Sequence, residues 1–233
     1  MKLSIVIPCY NEEKNIPFIY NTLKNIINDN IEIILVNNGS TDNSQEVLES
    51  LCKNNDSFKI CHVPVNKGYG YGILQGLNSA TGSILAWTHA DLQTDPADII
   101  TAYNKYYSSN FNDDFIVKGK RKNRRFSEAF FTFGMQIIAF LFLKVYMDDI
   151  NAQPKIFTRN FYEIYIKDRA PHDFSLDLFL LYTAKKNNYS IKTIPVFFKK
   201  RLYGEAKGGG SFKTRIKLIK RTFNYIRQLS KTI

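Results

Sequence analysis

The chain has 233 residues, 44% of them hydrophobic and 23% charged, which suits a soluble globular protein long enough to bury a sizeable core. These proportions exclude disordered, collagen-like and disulfide-scaffold classes. Lys and Arg number 32 against 21 Asp and Glu, a net charge of +11, and that excess asks for an anionic partner: nucleic acid, a phosphorylated ligand or an acidic membrane surface.

Leu3–Ile7 is an apolar, β-branched run closed by Pro8 and reads as a buried strand. Asn11 stands where it would cap a helix carrying Ile16, Ile19, Leu23, Ile26 and Ile27 on one face. Ile31–Val36 is the second buried strand, Asn37–Ser44 a turn, and a helix with Val47, Leu48 and Leu51 follows. Lys59–Val65 is the third strand. Gly68, Gly70 and Gly72 loosen the next connection ahead of a helix near Ile73–Ser79, and Ser83–Thr88 is a fourth strand running into His89–Pro96. Strands alternating with helices predict right-handed crossovers and an α/β fold, a mostly parallel sheet with helices on both faces. Beyond residue 100 the pattern is less regular. Strands are expected at Phe115–Gly119, Ile156–Phe157 and Thr193–Phe198, and a helix at Ser175–Lys186. Ser127–Met147 is dominated by Phe, Ile, Leu and Met. Phe212, Ile216, Ile219, Phe223 and Ile226 mark a last amphipathic helix.

The three cysteines, Cys9, Cys52 and Cys61, have no metal-ligand spacing and read as buried, inert thiols of a reducing compartment. The N-terminal run is too soon broken by Pro8 for a signal peptide. Neither repeat nor low-complexity linker interrupts the chain, which predicts one compact domain with C-terminal elaborations.

Open parallel sheets bind ligands beyond the carboxyl ends of their strands. Four consecutive strand ends here are polar: Pro8-Cys9-Tyr10-Asn11-Glu12, Asn37-Asn38-Gly39-Ser40-Thr41-Asp42, Asn66-Lys67-Gly68 and His89-Ala90-Asp91-Leu92-Gln93. One such loop is an ordinary turn; four together point to a polar ligand. No GxGxxG follows the first strand and no GxxxxGK[ST] occurs, so the dinucleotide and P-loop classes are excluded.

These four segments in this order, with Arg201-Leu202-Tyr203-Gly204-Glu205-Ala206-Lys207 downstream, resemble family 2 glycosyltransferases, and most closely their dolichyl-phosphate mannosyltransferase-like branch. The resemblance spans most of residues 3–207 and is weakest over 100–190. It implies a GT-A fold, with a Rossmann-like nucleotide-sugar half (1–98) fused to an acceptor half (99–210) and followed by a basic amphipathic helix (211–233). By the same resemblance Pro8, Tyr10, Glu12, Asn37, Asn38, Lys67, Ala90 and Asp91 are nucleotide-binding positions, and His89, Asp91 and Gln93 match the D-x-D-x-Q segment that holds a divalent metal, Mn²⁺ or Mg²⁺, against the diphosphate. Two departures stand out. His89 replaces the first aspartate of that segment, so it is either a softer metal ligand, favouring Mn²⁺, or a hydrogen-bond donor to phosphate; metal dependence is expected to be retained but altered. Asn37-Asn38 replaces a usual Asp-Asp pair; an amide both accepts and donates, which opens the donor base to cytosine, with UDP the default and GDP the further option.

On the acceptor side, Lys118–Arg125 is a dense basic run in which Arg121, then Arg124, is the expected phosphate binder, the alternative being a solvated loop. Arg201 and Lys207 are expected to clamp the diphosphate from a lid hinged at Gly204 and Gly208-Gly209-Gly210. Gln153 and Lys155 sit where family members carry an acceptor motif. The implied chemistry is displacement at the anomeric carbon with inversion. A polyprenyl-phosphate acceptor needs no base, whereas a glycan hydroxyl does, and Asp177 is the candidate, unless it only caps a helix. Asp91, Asp177, Arg121 and Arg201 thus form the expected catalytic set.

The apolar stretch at 129–143 is short for a membrane span and reads either as core or as an interfacial helix. Between Lys192 and Ile233 twelve basic residues face one acid, Glu205, so the whole excess charge lies there. Peripheral association with the anionic inner face of the cytoplasmic membrane is the expectation, and nucleic acid is not an expected partner because the tail's aromatics fall on the helix's apolar stripe. The competing function is a catalytically impaired nucleotide-binding family member, suggested by the lost aspartates.

Overall fold

The computed structural model describes residues 1–107, 113–123, 126–204 and 212–231. Seven strands form one sheet: β1 (Leu3–Cys9), β2 (Ile31–Asn38), β3 (Phe58–Val63), β4 (Ile84–Trp87), β5 (Phe115–Lys122), β6 (Lys155–Thr158) and β7 (Ser190–Phe197). Their order is β3-β2-β1-β4-β6-β5-β7. Only β6 runs against its neighbours; the pairs β1–β2, β1–β4, β2–β3 and β5–β7 are parallel. The expectation of a mostly parallel sheet with flanking helices is met.

β1 and β2 are buried almost without interruption, as strands covered on both faces must be. Their side chains alternate between two cores. Val6, Ile34 and Val36 share one with Ile73 and Leu77 of α3 (Tyr69–Ser79) and Leu180 and Leu181 of α7 (Leu176–Lys186). Ile5, Ile7, Ile33 and Leu35 share the other with α1 (Ile16–Lys24), Leu48 of α2 (Ser44–Cys52) and Ile99 of α4 (Asp98–Tyr106). The first core also takes Ala139 and Leu143 of α5 (Phe126–Leu143) and Ile226 of α8 (Phe212–Ser230). α6 (Arg159–Phe161) is a single turn that continues as a π-helical stretch, Tyr162–Ile166. Cys9 and Cys52 are buried and Cys61 is half-buried, all three free, and burial pushes each thiol up.

Four expectations are corrected. Pro8 does not close β1, which runs on to Cys9. Val6 accepts from Thr88 N, and the β1–β4 ladder ends at Val6–Trp87. Residues two apart on a strand face the same neighbour, so the N–H that Pro8 lacks would point beyond the end of β4, where no ladder partner waits. Asn11 is not a helix cap. It adopts a positive φ of 55° and ties the β1 loop to the β2 loop through Ser40 Oγ and the Thr41 amide, and α1 starts five residues later. Gly70 and Gly72 do not loosen a connection, because α3 already starts at Tyr69. A Cβ on Gly70 would lie 2.5 Å from Pro171 O, and one on Gly72 would lie 2.7 Å from the Asn38 amide. Glycine at these places admits the 171–173 loop and Asn38 against the helix. β5 also extends to Lys122, so five of the eight residues of the basic run are strand rather than loop.

At the amino edge of the sheet one carboxylate stitches four segments together. Glu32 of β2 is 2% exposed. It accepts from Ser4 Oγ of β1 at 2.5 Å, Lys59 Nζ of β3 at 2.7 Å and Thr81 Oγ1 ahead of β4 at 2.8 Å, with Lys2 Nζ at 3.2 Å. Burial alone would raise its pKa; the bonds from Lys59, Ser4 and Thr81 outweigh it and hold the carboxyl well below the usual carboxylate range. A depressed folded pKa stabilises above the unfolded value, about 4.3, and the contribution disappears as pH falls below it. Glu32→Gln is therefore expected to cost about 2 kcal/mol at neutral pH. In urea melts between pH 6 and pH 3, the wild type should lose stability more steeply than the variant.

Candidate functional site

Because six of the seven strands point the same way, the loops after β1, β2, β3, β4 and β7 meet at one edge of the sheet. The reversed β6 sends its amino end to that edge, which delivers Gln153, Pro154 and Lys155 alongside them. A cavity of about 310 Å³ opens there. Of the expected nucleotide positions, Pro8, Tyr10, Glu12, Asn38, Ala90 and Asp91 line it, together with His89 and Arg201.

Two expected positions lie elsewhere. Asn37 is buried beside the cavity, where its Oδ1 accepts from Ser40 N at 3.1 Å and its Nδ2 donates to Gln45 Oε1 at 3.4 Å. Lys67 stands over the Tyr71 ring and lines a neighbouring cavity with Arg169, His172 and Arg221. Asn38 departs from the expected two-way amide. Its Nδ2 donates to Gly68 O at 3.1 Å, which fixes the amide and leaves its buried Oδ1 without a partner.

Asp91 is the electrostatic centre. Arg201 Nη2 donates to its Oδ2 at 2.8 Å, while Arg201 Nη1 lies 3.5 Å from Glu12 Oε1. Asp91 Oδ1 accepts from Gln93 N at 3.1 Å, and His89 Nδ1 lies 4.0 Å from Asp91 Oδ2. The Gln93 side chain turns away and donates to Lys199 O at 3.3 Å. Among the described residues no three His, Cys, Asp or Glu side chains form a metal-holding group. The donor set suits an ion shared with a substrate, held through one carboxylate and completed by phosphate oxygens, as Mg²⁺ and similar hard cations commonly are.

Beneath the cavity lies a second ion pair. Lys155 is fully buried, and its ammonium meets Asp177 Oδ1 at 2.9 Å, Ile150 O at 2.9 Å and Ala152 O at 2.7 Å, so its three hydrogens all have acceptors. Burial pulls the Lys155 pKa down and Asp177 opposes it. Asp177 also accepts from Gln153 Nε2 at 2.9 Å. The expected base and the two expected acceptor residues thus form one buried cluster behind the cavity wall, joined to it through Tyr69. Gly119 of β5 permits this packing: a Cβ there would overlap Gln153 O.

Three described cations of the basic run have carboxylate partners. Arg121 donates to Asp149 Oδ1 through Nε at 2.8 Å and to Oδ2 through its backbone N at 2.7 Å, and lies over the Phe198 ring. Lys118 and Lys120 share Asp148 at 3.0 and 3.3 Å. Arg124 and Lys207, with the glycine hinge at 208–210, lie outside the described residues. Tyr69 and Phe174 were missed by the sequence reading. Both line the cavity, and their rings stack 4.9 Å apart. Tyr69 sits in the Gly-Tyr-Gly-Tyr-Gly run, whose glycines pointed to a loop rather than a helix N-terminus; no local pattern distinguishes Phe174.

Residues 4–151 match Glycosyl transferase family 2. An undecaprenyl-phosphate 4-deoxy-4-formamido-L-arabinose transferase from Proteus mirabilis is 38% identical over 103 residues, which span 42% of this chain but only 31% of that protein. Glucosyl-3-phosphoglycerate synthase from Mycobacterium tuberculosis, solved with Mn²⁺, UDP and glucosyl-3-phosphoglycerate, superposes with a TM-score of 0.73 at 14% identity, covering 100% of this chain and 80% of that one. A mannosyltransferase from Pyrobaculum calidifontis, solved with GDP-Man and Mn²⁺, gives 0.68 at 16% identity over 96% of this chain and 63% of that one. These two share the fold, which is the GT-A arrangement anticipated from the motifs.

Removing one partner of a buried ion pair strands the other charge. Lys155→Met is expected to destabilise the protein by about 3 kcal/mol, and adding Asp177→Asn to recover more than half of that. A double-mutant cycle by urea denaturation measures both.

Proposed function

The chain belongs to glycosyl transferase family 2, and on that premise we propose that it moves a sugar, with inversion, from a nucleotide sugar to a polyprenyl phosphate. The observation that carries this reading is the Asp91–Arg201–Glu12 cluster in a cavity at the carboxyl edge of a doubly covered sheet. Its described lining holds two carboxylates against one guanidinium, with His89 kept neutral by burial. A diphosphate entering such a site requires further positive charge. A divalent ion, Mn²⁺ or Mg²⁺, bound through Asp91 supplies it and neutralises the leaving group.

The chain's own residues account for the remaining steps. Asn38, Tyr10 and Pro8 wall the nucleotide. Arg201 turns its two-pronged guanidinium from Asp91 to the diphosphate as donor and metal arrive. An acceptor phosphate oxygen then attacks the anomeric carbon as its bond to the diphosphate breaks. That oxygen is already anionic, so no general base is required, in keeping with an Asp177 carboxylate sealed against Lys155. The undecaprenyl-phosphate transferase named above supports this acceptor over a glycan hydroxyl.

The same reading gives α5 and α8 a surface role. No helix among the described residues is long and apolar enough to cross a membrane. α5 leaves Ile137, Phe140, Leu141 and Phe142 exposed, and Phe142 packs edge-on against Phe223 of α8. Lys217, Lys220, Arg227 and Lys231 are exposed on α8 and beside it. An apolar strip beside a cationic one suits peripheral attachment to an anionic leaflet, the inner face of the cytoplasmic membrane.

Asp91→Ala is expected to lower sugar transfer at least 100-fold, and excess EDTA to abolish it; full activity in EDTA would remove the metal from the reading. Among nucleotides, UDP is expected to give the largest thermal shift, ahead of GDP and CDP, in the presence of Mn²⁺. Vesicles containing anionic phospholipid should sediment the protein at low salt and release it at about 0.5 M salt, where the Debye length falls to a few ångströms.

A further inference from the structure

Lys67 is a cation that the donor cavity does not use. It lines a neighbouring cavity of about 810 Å³, set between the β3–α3 loop, residues 169–173, α7 and α8. The two cavities have no described lining residue in common. Their charges are opposite. The donor cavity sets Glu12 and Asp91 against Arg201; here Lys67, Arg169 and Arg221 face one carboxylate, Asp173.

Among the described residues only one of these cations has a carboxylate partner: Arg221 Nη2 lies 3.0 Å from Asp173 Oδ2. The Lys67 ammonium stands 5.1 Å from the centre of the Tyr71 ring, and the exposed Arg169 guanidinium meets no described carboxylate. Like charges around a concave, low-dielectric wall reinforce one another's field, and an anion entering it is held by all of them. Guanidinium forks match phosphate oxygens in particular. Burial pushes the Tyr225 phenol up, so its hydroxyl remains a hydrogen-bond donor at the same cavity. Phe179 offers an apolar wall to the carbon side of an ester. Three cations against one carboxylate leave two positive charges, which a phosphate monoester, at about −1.5 to −2 near neutral pH, balances.

We propose that this cavity is a second anion site, which takes a phosphate monoester without a metal ion. Its frame is held from α3: Tyr71 N donates to His172 O at 2.9 Å, and the Tyr71 and His172 rings meet edge-on at 5.2 Å. The same segment continues into Phe174, which lines the donor cavity, so an occupied anion site braces one wall of that cavity. Gln228 of α8 borders both the anion site and a smaller cavity lined by Arg227 and Lys231, so the positive charge runs on along α8. The monoester can therefore belong to a soluble phosphate or to a lipid headgroup, and the recognising chemistry is the same for both.

The experiment is an NMR titration of the full chain, ¹⁵N-labelled in its arginines, with glycerol 3-phosphate in EDTA at about 0.15 M ionic strength, where loose surface attraction is screened. The Nε–H signals of Arg169 and Arg221, identified as those lost in Arg169→Gln and Arg221→Gln, are expected to shift with a Kd of about 1 mM. Arg169→Gln and Lys67→Gln, both at exposed side chains, are each expected to weaken binding about tenfold, read on Arg221, as loss of one charge-assisted hydrogen bond does. Lys53→Gln, an equal change of charge at the exposed end of α2, is expected to leave the Kd unchanged. An unchanged far-UV circular dichroism spectrum reports a retained fold in each variant. Vesicles containing phosphatidic acid or phosphatidylglycerol at equal surface charge tell the sources apart. A preference for phosphatidic acid that Arg169→Gln removes assigns the site to a lipid headgroup; equal binding to both assigns it to a soluble phosphate. No shift with about 10 mM glycerol 3-phosphate, a loss in Lys53→Gln equal to that in Arg169→Gln, or binding that appears only when Mn²⁺ is added would each overturn the proposal. Binding is read without turnover, so an inactive protein with the expected shifts would sink the transferase reading and leave the anion site standing.

Discussion

The buried contact between Lys155 and Asp177 is the constraint on which the site depends. It joins the amino end of the one reversed strand, β6, to the first turn of α7 at the sheet's carboxyl edge. A charge this deep is tolerable only if every hydrogen is used, and the carbonyls of Ile150 and Ala152 complete the set. Gln153 reads the pair on one side and Tyr69 on the other. A cavity side chain, His89, is thereby linked through Tyr69 and Gln153 to a buried ion pair.

The distribution of charge follows a related logic. A protein with eleven excess positive charges has a candidate site with more carboxylates than cations among its described lining residues. In the basic run at the end of β5, Lys118 and Lys120 are paired with Asp148 and Arg121 with Asp149. Arg201 reaches in from beyond β7 and neutralises one of the two cavity carboxylates. Part of the excess is exposed on α8, at Lys217, Lys220 and Arg227. In the proposed reading, donor chemistry and surface attachment would draw on different groups: a few fixed charges at close range for the first, many solvated ones for the second.

Much of this was legible in the chain. Apolar runs at residues 3–7 and 31–36 are long enough, and free enough of alternation, to require burial on both faces, and each is followed by a polar loop. A parallel sheet brings such loops to one edge whatever the details between them. Boundaries were less accessible. Pro8 ends a strand only if its missing N–H faces a partner, and that depends on where β4 stops. Glycines at 70 and 72 read as slack when considered locally; they are close contacts once the 171–173 loop and Asn38 are in place.

The sequence by itself determined the fold class, the four loops of the nucleotide half, the family and the placement of the excess charge, because each is written in local composition or in motif order. The tertiary structure alone decided which candidates meet. It put Asn38 in the cavity wall and Lys67 in the neighbouring cavity, set Arg121 on Asp149, and sank Asp177 beneath the site with Lys155. It also brought in Tyr69 and Phe174, which carry no motif. The reason is that hydrogen-bond partners 84 residues apart, as Tyr69 and Gln153 are, have no signature along the chain. Their contact exists only after one strand has been reversed and the buried charges have been paired.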